Sequence, residues 1–93
     1  MMRLTIRADV EDYETWRGLF DEYHASGVPG QRGVVGHTVF RDELNPNNVT
    51  ILLDFNDPQT AEAYVTDPAN RVNLERGGMK ADGMLMSLTE LES

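Results

Sequence analysis

The chain has 93 residues, no cysteine and a formal net charge of −8. That length gives one domain over residues 1–93, and 40% hydrophobic residues suit a globular core, although so short a chain is marginal without a partner. The acidic balance opposes nucleic acid and anionic membranes as partners. The missing cysteines exclude disulfides and thiolate metal sites, and no run approaches the ~18 apolar residues of a membrane span.

Met1-Met-Arg-Leu-Thr-Ile-Arg7 alternates with arginines and has no apolar run of the kind a signal peptide needs, so a cytoplasmic protein is expected. Met2 to Ala8 reads as a first strand. Met2, Leu4, Ile6 and Ala8 alternate with Arg3, Thr5 and Arg7, the period of a half-buried strand. Asp12 is the expected N-cap of a first helix running to about Ala25, with Glu14 in its first turn. Tyr13, Trp16, Phe20 and Tyr23, joined by Leu19, form a stripe of helical period. Gly27 and Pro29 mark the stop, and Gly27, Gly30, Gly33 and Gly36 suggest a flexible connection.

Val34 to Arg41 and Val49 to Phe55 are β-branched and aromatic, and the turn Asp42-Glu-Leu-Asn-Pro-Asn-Asn48 separates them, so the stretch is a β-hairpin. If Asp42 faces Val49, then Phe40 faces Ile51, Thr38 faces Leu53, Gly36 faces Phe55 and His37 faces Asp54. A one-residue slip exchanges the faces, so the His37–Asp54 pair depends on this register. Asp57-Pro58 opens a short helix over Gln59 to Val65. Asp67-Pro68 opens a second segment from Ala69 to about Arg76, so helix two is broken at Pro68. Gly83 to Leu91 is a fourth strand with Met84, Met86 and Leu88 on one face.

The order βαββαβ with right-handed crossovers predicts an α+β, ferredoxin-like antiparallel sheet ordered four, one, three, two, with both helices on one face. Leu4, Ile6, Phe40, Ile51, Leu53 and Phe55 are expected under the helices. Arg3, Thr5, Arg7, His37, Arg41 and Asp54 are expected on the far face with Val35, Val39 and Leu52. Such a face is too apolar for water and too charged for a monomer core, which predicts a homodimer.

Trp16, Phe20, Tyr23 and Tyr64 are of the type that lines a site for a planar aromatic molecule, with Met84 and Met86 as adaptable lining near its mouth; plain core packing is the alternative. His37 with Asp54 is the acid–base candidate, because a carboxylate fixes the imidazole tautomer for proton abstraction; a structural hydrogen-bonded pair is the alternative. His24, near the end of helix one, is either a dipole partner or a general base at the rim. No ligand spacing brings His24, His37 and a carboxylate together, so no metal is expected. No phosphate-binding or dinucleotide fingerprint is present.

Four stretches carry a resemblance over nearly the whole chain. They are Val10-Glu-Asp-Tyr-Glu-Thr-Trp16 with Phe20-Asp21, Gly36-His-Thr-Val-Phe-Arg-Asp42 followed by Asn45-Pro46-Asn47, Leu53-Asp-Phe-Asn-Asp57, and Ala61-Glu-Ala-Tyr64 with Asp67-Pro68. With them the chain resembles the dimeric α/β-barrel superfamily, in its branch of small antibiotic-biosynthesis-monooxygenase-like proteins. The resemblance implies a dimeric α/β barrel, a ligand cavity between sheet and helices, and activities that include cofactor-free oxygenation of aromatic polyketides, haem degradation and cyclisation. The haem-degrading branch has an asparagine on strand one and a histidine on helix two. Both are missing here, so no haem and no other cofactor is expected. The expected function is a cofactor-independent monooxygenase- or cyclase-like enzyme acting on an aromatic or polyketide-type molecule. The alternative is a non-catalytic ligand-binding or accessory homodimer.

Overall fold

The computed structural model describes residues 1–92 and, of Arg71, only the backbone. Four antiparallel strands form one sheet in the order β2-β3-β1-β4: β1 (Met2–Asp9), β2 (Val34–Arg41), β3 (Asn48–Phe55) and β4 (Leu85–Glu90). Between them run α1 (Tyr13–Ala25), the single turn α2 (Val28–Gln31), α3 (Pro58–Thr66) and α4 (Pro68–Arg76). This is the ferredoxin-like α+β arrangement, with helix two divided at Pro68 as the sequence predicts. No helix of the described residues is long and apolar enough to cross a membrane.

Capping fixes where the helices begin. The Asp12 carboxylate accepts the Thr15 backbone N–H at 3.0 Å, and Asp57 accepts that of Thr60 at 2.8 Å. These bonds satisfy amides that the first helical turn leaves open. The Thr15 hydroxyl and then its N–H hold the Asp12 carboxyl below the usual carboxylate range, and the Thr60 N–H and then its hydroxyl do the same for Asp57. The core forms where the alternation of β1 and β3 meets the α1 stripe. Leu4, Ile6, Ala8, Val49, Ile51, Leu53 and Phe55 are buried with Trp16 and Phe20.

The hairpin differs from expectation by one residue. Arg41 lies opposite Val49, Phe40 opposite Thr50, Val39 opposite Ile51 and His37 opposite Leu53, while Gly36 lies opposite Asp54. Asn48 lies at the turn end of the shifted pairing. Its side chain donates to Asp9 Oδ1 at 3.0 Å and accepts from Arg7 Nε at 3.1 Å, and it lies in β3 opposite Asp9. Its carbonyl accepts the Asp42 N–H at 2.9 Å and adds one residue to the pairing. A slip of one turns every side chain of β2 to the other face. His37, Val39 and Arg41 therefore face the helices, Arg41 lying over the Tyr13 ring at 3.8 Å, and Phe40 faces outward at 55% exposure. An irregularity between Val34 and Gly36 shifts the register once more, so that Val34, and not Gly36 as expected, pairs with Phe55.

Two smaller expectations also change. The glycine-rich connection is ordered as α2, with Pro29 buried. Strand four begins at Leu85, so Met84 precedes it and packs against the core from a loop.

Gly33 joins α2 to β2 at φ 96°, and a Cβ there would overlap the Thr60 Cγ2 methyl. Left-handed backbone and steric overlap both penalise a side chain. Gly33→Ala should lower unfolding free energy by about 2 kcal/mol or more in urea titrations. Thr60→Ser in that background should restore part of the loss, because it removes the methyl and keeps the hydroxyl. Wild-type stability of Gly33→Ala would contradict this assignment.

Candidate functional site

The broken second helix leaves an open cleft of about 250 Å³ between α1 and α4. Trp16, Leu19, Phe20 and Tyr23 wall it from α1, Tyr64 from α3, and Asn70, Asn73, Leu74 and Arg76 from α4, with Gly77 just beyond. The spacing 16, 19, 20, 23 on a helix of period 3.6 places these four residues on one side of α1. Trp16 and Phe20 stack tilted at 5.1 Å, and Tyr64 rests on Phe55 at 5.4 Å. The four aromatic residues expected as a lining thus meet at one cleft. Met84 and Met86 do not join them. Met86, 37% exposed on β4, lines a separate small hollow with Leu4, Ile6, Val65 and the far sides of Tyr64 and Leu74.

The cleft is mostly apolar with a few polar groups. The Tyr64 phenol is pushed up to about 12, first by burial and then by Tyr23, against a lowering effect of Arg32. It stays protonated at neutral pH, a donor and not a base. The Tyr23 hydroxyl is buried, and among the described residues nothing hydrogen-bonds to it. A buried hydroxyl without a partner costs about 1–3 kcal/mol, an expense that a ligand oxygen would relieve.

A network that the sequence did not reveal braces the floor. Arg32 Nη1 donates to Asn70 Oδ1 at 2.6 Å and to Asp67 Oδ2 at 3.2 Å. Asn70, 6% exposed, donates from Nδ2 to the Tyr64 carbonyl at 2.8 Å. Asp67 also caps α4 through the Ala69 N–H. The capping signal Asp67-Pro68 was readable, but nothing local marked Asn70 or tied it to Arg32, 38 residues away.

The expected His37–Asp54 pair does not form. Asp54 lies on the outer face of the sheet, where it accepts from Arg3 at 2.8 and 3.3 Å. The shifted register carries His37 inward to His24 instead, with ring centroids 4.3 Å apart. Phe20 touches both rings, at 4.2 Å from His24 and 5.4 Å from His37, so the imidazoles lie behind Phe20 and outside the cleft lining. His24 is held down to about 4, chiefly by burial, then by His37 and Arg17, with Asp21 pulling the other way. Among the described residues no group of three or more His, Cys, Asp or Glu gathers in metal-binding geometry.

The depressed His24 gives stability a pH dependence of known sign. Between its unfolded value near ~6.5 and its folded value of about 4, the unfolded chain binds the extra proton. Stability should therefore fall as pH drops through that window. The part between pH 6.5 and about 5 is separable from carboxylate titration, and His24→Gln should flatten it in urea midpoints measured against pH. An unchanged slope in His24→Gln would assign the effect elsewhere.

No family model matches the chain, and neither does any curated protein. Solved structures do. SnoaB, a cofactor-independent oxygenase from Streptomyces nogalater, superposes with a TM-score of 0.74 at 14% identity over 99% of this chain and 93% of its own. An antibiotic biosynthesis monooxygenase superposes at 0.69 and 11% identity over 100% of both chains. A conserved protein from Methanosarcina mazei superposes at 0.72 and 12% identity over 98% of this chain and 92% of its own. Chains this dissimilar in sequence share architecture before they share chemistry. The chain has the subunit fold of the antibiotic-biosynthesis-monooxygenase-like proteins.

Proposed function

We propose that the protein is a small cofactor-independent enzyme of the oxygenase or cyclase kind, acting in the cytoplasm on a planar aromatic or polyketide-type molecule held in the α1–α4 cleft. The observation that carries this reading is the cleft itself, with Trp16, Phe20, Tyr23 and Tyr64 around it and an unpartnered tyrosine hydroxyl buried beside it. Flat rings stack on such walls, and phenol oxygens accept from such hydroxyls. Donors aimed at a ligand oxygen also favour its deprotonated form, the form in which a phenol or enol reacts with oxygen or closes a ring without a cofactor. The architecture shared with a cofactor-independent oxygenase supports the same direction.

The second reading is an accessory, ligand-binding dimer without turnover. It is favoured by the lining itself: both histidines stand behind Phe20, and among the described residues no carboxylate lines the cleft. Titration with planar polyphenols, followed by Trp16 fluorescence, tests the cleft; oxygen uptake with mono- and bicyclic phenols separates the two readings. Saturable quenching with oxygen uptake is the expected result. Quenching without turnover would support the accessory reading, and no quenching would remove the cleft as a ligand site. Tyr23→Phe should weaken phenol binding by about three- to tenfold while leaving the ligand-free melting temperature unchanged or higher.

A homodimer through the outer sheet face is part of this proposal. That face holds Thr5, Leu52, Thr38, Phe40 and Leu85 around the Arg3–Asp54 ion pair, and no helix covers it. Phe40 and Leu85 are 55% and 65% exposed. Burying two such faces against each other removes their apolar surface from water. Light scattering should give twice the chain mass, and Phe40→Asp should reduce it to the chain mass. A wild-type monomer would refute the dimer.

A further inference from the structure

The cleft has an unusual charge for this protein. The chain carries 16 carboxylate residues against eight cations, yet among the described residues no carboxylate lines the cleft and the charged side chain that does is Arg76. Arg3, Arg7, Arg17, Arg32 and Arg41 each have a carboxylate within 4.0 Å. Arg76 has no such partner among the described residues, although it stands in the last turn of α4, exposed, on a highly acidic chain. Asn73 lies one turn earlier on the same face and also lines the cleft.

We infer that the cleft selects an aromatic acid: one or two fused rings against Trp16 and Phe20, and a carboxylate at the rim against the Arg76 guanidinium, with the Asn73 amide beside it. This inference rests on the cleft being the ligand site and adds the ligand's charge and size. Guanidinium is suited to carboxylate because its fork of N–H donors matches two oxygens. The long-range repulsion of an anion by the acidic chain is screened beyond about 8 Å at physiological salt, whereas a cation in direct contact is not. Size follows from the volume. At about 250 Å³ the cleft lies just below the ~300–1,000 Å³ of drug-sized sites, enough for a mono- or bicyclic ring system and too small to enclose a tetracyclic one.

A matched pair of probes tests this. 2-Naphthoate and 2-naphthamide share ring and shape and differ in charge. In calorimetric titrations at neutral pH the wild-type protein should bind the acid about three- to tenfold more tightly than the amide, with the difference shrinking as salt is raised. Arg76→Gln should equalise the two by weakening the acid more than the amide, and Arg76→Lys should keep part of the preference. The melting temperature of each variant establishes that it is folded; Arg76 is exposed, so little stability should depend on it. Equal binding of both probes by the wild type would overturn the charge selectivity and leave the cleft as a ligand site. A preference that survives Arg76→Gln would overturn the role of Arg76. Binding of neither probe, together with no response to polyphenols, would remove the cleft reading and this inference with it.

Discussion

The chemistry of this fold depends on the register of the β2–β3 hairpin. Arg41 rather than Asp42 lies opposite Val49, and at the turn end the Asn48 carbonyl accepts the Asp42 N–H while the Asn48 side chain bonds to Asp9 and Arg7 of β1. Since side chains alternate along a strand, one residue of register decides which half of β2 is covered by helices. Val39 goes inward and Phe40 outward. His37 leaves Asp54 for His24, and Asp54 is left to Arg3. One residue of register therefore dissolves one titratable pair and creates another.

The second determinant is the break at Pro68. A continuous helix over 58–76 would run straight along the sheet. Instead Asp67 ends α3 and caps α4, and Arg32 and Asn70 tie the junction to the segment before β2. Proline has no N–H to continue the helical ladder, so the direction changes there. The change leaves the space between α1 and α4 that becomes the cleft. Asn70 is almost fully buried, and it is tolerated because both ends of its amide are bonded. Tyr23 is the contrasting case, a hydroxyl buried without a partner at the edge of the same space. A fully satisfied brace beside an unsatisfied donor is the pattern of a site that keeps its shape and leaves a bond open for something else.

The sheet thus has two faces with different physics. The inner face carries the core, and its charge lies at the edges, as in the stack of Arg41 on Tyr13. The outer face carries exposed apolar side chains around the Arg3–Asp54 ion pair. Acidic residues concentrate on helix surfaces and turns. Among the described residues no carboxylate lines the cleft, on a chain whose net charge is −8.

The sequence by itself determined the order of the strands and longer helices, the sheet order, the capping aspartates Asp12, Asp57 and Asp67, the proline break and the aromatic stripe of α1. Each of these rests on local chemistry: a period of two or 3.6, a side-chain oxygen near a helix start, a ring that locks φ. The membership of Trp16, Phe20, Tyr23 and Tyr64 in one cleft was legible for the same reason, since three of the four share a helix face. Tertiary structure alone decided the rest. The hairpin register came from pairing along the whole of β2 and β3, and the brace beside the cleft from Arg32 meeting Asn70 across 38 residues. The isolation of Arg76 from any described carboxylate is likewise a fact of three-dimensional distance. Contacts between residues far apart in the chain leave no periodicity behind, and so the charge and the open hydrogen bond of the site became visible only once the chain was folded.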